Sequence, residues 1–170
     1  MIIDPEQLRA VVNVAGQTCF GCGVDNPIGL RMRFFTDEQR VYSQVAVPPT
    51  MAGWDRTVHG GVLSTLLDEI MGWSVIYLLG RIGVTKTMTV EFVKPVQAGR
   101  LLTVVGAVTG APSDRQVIAT GEVYSEEDVL CARATGTFAA MSPQAAIRLG
   151  VMSAEYMERF RPVLEQKQLG

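Results

Sequence analysis

Along this chain the apolar and polar positions change period several times, and each change marks an element. Residues 4–14 read as a short amphipathic helix, with Asp4 as N-cap, Pro5 at the first helical position, Leu8, Val11 and Val12 on one side, and Gly16 as the stop. Residues 18–30 carry Gly21, Gly23, Asp25-Asn26-Pro27 and Gly29 and read as loop. Apolar and polar residues then alternate over 30–35 and again over 41–47, as in half-exposed strands, with Asp37-Glu38-Gln39 as the turn between them. Pro48-Pro49 stops the second strand. From Gly60 to Leu79 the period becomes helical, and Gly80 closes the run. Strand alternation returns over 85–93, 101–108, 116–124 and 129–139 with turn-forming joins, which predicts an antiparallel meander. A terminal helix over 154–160 is predicted to end at Pro162.

Two strands, one long apolar helix and four more strands predict an α+β architecture in which a curved antiparallel β-sheet wraps around one long central helix. The boundaries expected are an N-terminal helical segment over 1–17, the main domain over 18–142 and a helical tail over 143–170. A single sheet cannot cover both its edges and so apolar a helix, so a second subunit is expected. The helix is apolar nearly all round, except for a stripe of Gly61, Ser64, Thr65, Asp68, Gly72 and Val75, with Glu69 on its border. A carboxylate inside such a helix has to be paired, hydrogen-bonded or neutralised. At its start stands His59, the only histidine, followed by Gly60 and Gly61. Glycines there let backbone N–H groups approach a ligand, and the helix dipole favours negative charge at that end.

Composition narrows the classes. The chain of 170 residues is 48% hydrophobic and 19% charged with a formal net charge of -2, and it has no Lys/Arg cluster, which argues against a nucleic-acid partner. Asp68 and Glu69 interrupt the longest apolar run, so no membrane span is expected, and the first residues lack a signal-peptide pattern; the expected location is cytoplasmic. Cys19, Cys22 and Cys131 make a poor disulfide framework. Cys19 and Cys22 have C-x-x-C spacing, but a tetrahedral zinc site needs four ligands, and Cys131 and His59 are the other thiol and imidazole to hand. The pair is therefore expected to be small residues in a tight turn, with no metal and no cofactor.

Cys19-Phe20-Gly21-Cys22-Gly23, Asn26-Pro27-x-Gly29-Leu30, His59-Gly60-Gly61 and Leu67-Asp68-Glu69-x-Met71-Gly72-Trp73, in this order over residues 18–141, resemble the hotdog-fold acyl-CoA thioesterases of the PaaI type. That resemblance implies a hotdog fold and hydrolysis of acyl-CoA thioesters to free acid and CoA, in a homodimer or homotetramer with sites between subunits. It implies that Asp68 is nucleophile or general base, that the Gly60 amide polarises the thioester carbonyl beside Gly61, that His59 orients, and that Thr85 helps place the water. Asp68 would come from the subunit opposite that amide. Asn26, Trp54, Thr65, Glu69 and Gly72 are expected to contact substrate, and Arg81, Lys86, Arg100 and Arg115 are candidates for the CoA phosphates. Glu69 is the rival catalytic carboxylate. One departure stands out: relatives hold the attacking water with an Asn or Gln just before the His-Gly-Gly, whereas Gly53-Trp54-Asp55 offers no amide side chain, leaving Asp55 or Asn26 as substitutes. Two other readings are a hotdog hydratase or dehydratase acting on enoyl or 3-hydroxyacyl thioesters, and a non-catalytic acyl-CoA binding protein.

Overall fold

The structure, a computed structural model, describes residues 7–167. In chain order its elements are β1 (Arg9–Val11), β2 (Phe34–Thr36), β3 (Val41–Ala46), β4 (Ala52–Trp54), β5 (Thr57–Val58), α1 (Gly60–Leu79), β6 (Ile82–Phe92), β7 (Leu101–Ser113), β8 (Gln116–Tyr124), β9 (Leu130–Met141), α2 (Pro143–Arg148) and α3 (Ala154–Glu165). Helix α1 starts and stops where the sequence places it. His59 caps it in an extended conformation, its Nδ1 accepting the Gly61 N–H at 2.9 Å. Gly80 ends it in the left-handed region at φ 62°, donating its N–H to Ile76 O.

A seven-stranded sheet in the order β1-β2-β3-β7-β8-β9-β6 curves around α1, every neighbouring pair antiparallel. Leu66, Leu67, Ile70, Met71 and Val75 of α1 are fully buried. Each such side chain contributes roughly 1.5–3 kcal/mol relative to exposure. Strand β8 shows the matching alternation, with Val117, Ala119, Gly121 and Val123 buried and their neighbours half-buried. By length and composition alone α1 would pass as a membrane span, with a mean hydropathy of 1.5, so its two carboxylates do not exclude that as expected. The sheet and α3 bury 56% of the 18-residue stretch that meets this test.

Three expectations give way. The helix foreseen over 4–14 is a strand at Arg9–Val11, where pairing with Phe34–Thr36 overrides local helix preference; Asp4 and Pro5 lie outside the described residues. The last four long strands are not a simple meander, because β6 pairs with β9 rather than with β7. The link from β6 to β7 carries the chain beneath the start of α1, where Val96 is buried and its carbonyl accepts the Val58 N–H. Helix α3 runs through Pro162 to Glu165, because Phe160, Val163 and Leu164 are buried and Phe160 packs near Trp73 of α1. That packing outweighs the lost backbone hydrogen bond.

Strand β7 passes α1 so closely that a Cβ added at Gly106 would lie 2.6 Å from the Ile70 carbonyl oxygen and from Ser74 Oγ, whereas at Gly110 it would make ordinary contacts of 3.7 Å. Gly106→Ala is therefore expected to destabilise the protein by about 1–3 kcal/mol in denaturant unfolding. Gly110→Ala should stay within about 1 kcal/mol of the parent, and equal effects at the two positions would contradict this packing.

Candidate active site

The exposed stripe of α1 is where the charged side chains gather. Gly61 is exposed, and Ser64, Thr65, Asp68, Glu69 and Gly72 are half-buried. Val75, expected on the same stripe, is fully buried instead, against Gly83 of β6. Beside the middle of this stripe lies a cleft of about 180 Å³, bounded by the loop before β2, by α1 and by β6, with Cys19, Cys22, Asp68, Glu69, Gly72 and Thr85 in its walls. Larger clefts exist, including one of about 480 Å³ next to Arg81, Arg115 and Arg148, but this smaller one brings together Asp68, Glu69, Cys19 and Cys22.

Asp68 and Thr85 meet in the cleft: the Thr85 hydroxyl donates to Asp68 Oδ1 at 2.7 Å, across from α1 to β6. This fixes the carboxylate rotamer, and none of the described residues donates to the second oxygen, Oδ2. Thr65 turns inward, its hydroxyl donating to Gly61 O, and Ser64 does the same to Gly60 O. Both then present mainly carbon to the stripe.

The first turn of α1 is arranged differently. Of its N–H groups, those of Val62 and Leu63 donate to His59 O and that of Gly61 to His59 Nδ1. Among the described residues none accepts the N–H of Gly60, so this group is left to a ligand or solvent. His59 is exposed, and its own N–H is tied to Met51 O. With Nδ1 accepting, the neutral imidazole carries its proton on Nε2. Gly60 and Asp68 lie on one helix at a rise of 1.5 Å per residue, so about 12 Å of axis separates them.

Other expected contacts are placed elsewhere. Trp54 sits in the β4–β5 hairpin and is 86% exposed, so it walls neither the core nor the cleft within one chain. Asp55 occupies the tip of that hairpin at φ 48° and is exposed. Asn26 lies outside the cleft, and its side chain is used within its own loop: Nδ2 donates to Thr18 O and Cys19 O, and Oδ1 accepts from the Ile28 N–H. Such a short side chain is the one suited to closing a turn on itself. Arg100 forms ion pairs with Glu126 and Glu127, whereas Arg81 and Arg115 remain beside an open cleft.

Glu69, in the wall of the same cleft, is bonded to the C-x-x-C loop. Cys19 Sγ donates to Glu69 Oε1 at 3.3 Å, and the donor atoms of Cys19, Cys22 and Glu69 all lie within 4.8 Å of one another. Gly21 passes directly over the carboxylate, where an added Cβ would sit 2.2 Å from Glu69 Cγ. Burial first, and negative charge on Cys19 second, push the Glu69 carboxyl up to about 8. Hydrogen bonds from the Cys22 side chain and from the backbone of Cys22 and Gly21 draw the Cys19 thiol down, while Cys22 moves up, through its side-chain bond to Cys19 and then burial. The signal available in the sequence was the pairing of a C-x-x-C loop with a second carboxylate inside an apolar helix.

Comparison with known proteins agrees with this geometry. Residues 56–132 match the family model of the Thioesterase superfamily. An uncharacterized protein of Schizosaccharomyces pombe is 31% identical over 112 residues, which cover 62% of this chain and 63% of the yeast protein. The chain thus spans less than two thirds of that relative's length. A hypothetical thioesterase protein from Streptococcus pneumoniae, solved with coenzyme A, is 24% identical with a TM-score of 0.58, over 62% of this chain and 80% of that one. The PaaI protein of the Escherichia coli phenylacetic acid degradation operon is 19% identical with a TM-score of 0.60, over 66% of this chain and 81% of that one. The fold is the hotdog fold. Over residues 56–132, less than half of its length, the chain is similar to the thioesterase superfamily.

The contact between Gly21 and Glu69 can be read as a coupling energy. Gly21→Ala is expected to destabilise the protein by about 1–3 kcal/mol, and to do so much less in a Glu69→Ala background. Additive effects in a double-mutant cycle of urea unfolding would show that the two do not press on each other.

Proposed function

We propose that this protein hydrolyses acyl-CoA thioesters to free acid and CoA, in a site completed by a second copy of the chain. The observation that carries the reading is the division of labour along α1: an unpaired amide at Gly60 and a threonine-held carboxylate at Asp68, some 12 Å apart on one axis. One carbonyl cannot touch both within a single chain. A second copy running antiparallel would bring its Asp68 opposite the first copy's Gly60.

The edge that could pair in this way is β6, the last strand of the sheet and eleven residues long. Val84, Phe92 and the following Val93 are exposed on or beside it, and long exposed apolar edges seek a partner strand. Phe92 also lies 3.4 Å from where a Gly60 Cβ would be, so the edge and the amide are next to each other. In the joined site the Gly60 N–H donates to the thioester oxygen as negative charge builds there, helped by the helix dipole. Asp68, oriented by Thr85, attacks the carbonyl carbon or deprotonates the attacking water. His59 holds the helix start open by capping Gly61 and presents Nε2–H toward solvent. The small faces of Thr65 and Gly72 would leave room for the acyl chain, and Arg81 and Arg115, which line a separate open cleft, are candidates to meet the CoA phosphates.

A panel of acyl-CoA thioesters with a free-thiol readout tests this. Asp68→Asn is expected to lower kcat by roughly 10²–10⁴ with the fold retained, and Thr85→Val should lower kcat less. Hydration of an enoyl-CoA without CoA release would favour a hydratase instead, and saturable CoA-ester binding without product would favour a binding protein. Full hydrolysis in Asp68→Asn would refute the assignment of the carboxylate.

A further inference from the structure

The cluster of Cys19, Cys22 and Glu69 has no part in the hydrolysis proposed above. It joins two thiols and a carboxylate at one point of the cleft wall, with donor atoms within 4.8 Å of each other. All three are groups that bind metal in their deprotonated, anionic forms, and among the described residues no Lys, Arg or His side chain forms an ion pair with Glu69. Protonated, they bond to one another as seen between Cys19 and Glu69; deprotonated together they would repel, and a divalent cation is what neutralises such a set.

The loop is built to hold the donors there. The Gly23 N–H closes onto Cys19 O at 3.0 Å, Asn26 Nδ2 donates to the same carbonyl, and Asn13 Nδ2 donates to Cys22 O at 2.9 Å. The backbone amides of Gly21 and Cys22 face the Cys19 sulfur, which favours the thiolate that a metal requires. Gly21 lets the loop lie flat on Glu69. Beyond the pair, the sequence offers Cys131 and His59 as the other thiol and imidazole. Cys131 Sγ instead donates to Val129 O, and His59 caps the start of α1, about 15 Å of axis before Glu69.

We propose that Cys19, Cys22 and Glu69 bind one zinc ion per chain, with the fourth coordination position open to the cleft and filled by water. Two thiolates and one carboxylate suit Zn²⁺ rather than Mg²⁺ or Ca²⁺, which take oxygen ligands. Binding releases the protons held by the ligands and ties the loop before β2 to α1, immediately beside Asp68. The ion thereby fixes one wall of the cleft.

Cobalt reads this out independently of turnover, so its result stands apart from the fate of the thioesterase reading. The full chain, reduced and stripped with a chelator, is titrated with Co²⁺ and then with Zn²⁺. Expected are a thiolate-to-cobalt charge-transfer band saturating at one equivalent, visible bands of tetrahedral intensity, and their loss when Zn²⁺ displaces cobalt. Cys19→Ser and Cys22→Ser should each abolish tight binding, and Glu69→Gln should weaken zinc by roughly tenfold or more. Cys131→Ser should bind as the parent does. Where a serine variant fails to fold, protection of Cys19 and Cys22 in the parent from alkylation by stoichiometric zinc, with Cys131 unaffected, gives the same answer. The proposal is overturned if the folded, reduced parent shows no charge-transfer band at stoichiometric cobalt. It is equally overturned if the band survives Cys22→Ser or vanishes in Cys131→Ser.

Discussion

Everything in this molecule answers to one requirement, that a twenty-residue helix apolar on almost every face be covered. Its central residues Leu66, Leu67, Ile70 and Met71 see no solvent, and a flat sheet could not achieve that. The sheet therefore curves, and where it comes nearest the helix the strands shed side chains, as at Gly106. What the sheet leaves uncovered is a single stripe. The loop before β2 closes over one end of that stripe, α3 seals Trp73, and the remainder is the only place on α1 where a carboxylate can reach water.

Function follows from how that stripe is used. Its N-terminal turn offers an amide whose acceptor is missing, and two turns further on it offers a carboxylate anchored by Thr85. The helix rise keeps the two apart, so the chemistry implied by each is half of a site. The next residue along, Glu69, is rotated toward the C-x-x-C loop and is held in a different environment. Adjacent carboxylates thus come to lie in separate environments because consecutive side chains on a helix point about 100° apart. Asp68 looks onto β6, and Glu69 looks under the loop.

What could be read from the residues alone was local and periodic. The limits of α1, the turn at Asp37-Glu38-Gln39 and the alternation of β8 were legible, because capping, turn chemistry and a period of two are written in neighbouring residues. The resemblance gave Asp68 and Thr85 separate roles, and their hydrogen bond was not foreseen, since no spacing rule links a helix position to a strand residue. Illegible features depended on distant partners. Arg9–Val11 becomes a strand because β2 is there to pair with it, and α3 continues past Pro162 because its last turn is buried. Where Trp54 and Asn26 sit in the single chain was illegible for the same reason: hairpin geometry exposes the first and turn closure uses the second within its own loop.

The central claim is that amide and carboxylate act together across two copies of the chain, and mixing two silent variants tests it most directly. Gly60→Pro removes the amide hydrogen at a first helical position where proline fits, following a residue already extended; Asp68→Asn removes the base. Each homo-oligomer should be inactive toward acyl-CoA. If the site is shared between copies, subunit exchange in a dimer gives half heterodimers, each with one intact site, and restores roughly a quarter of the parent activity. Heterodimers shown to form by mass, yet with no recovered CoA release, would contradict the account.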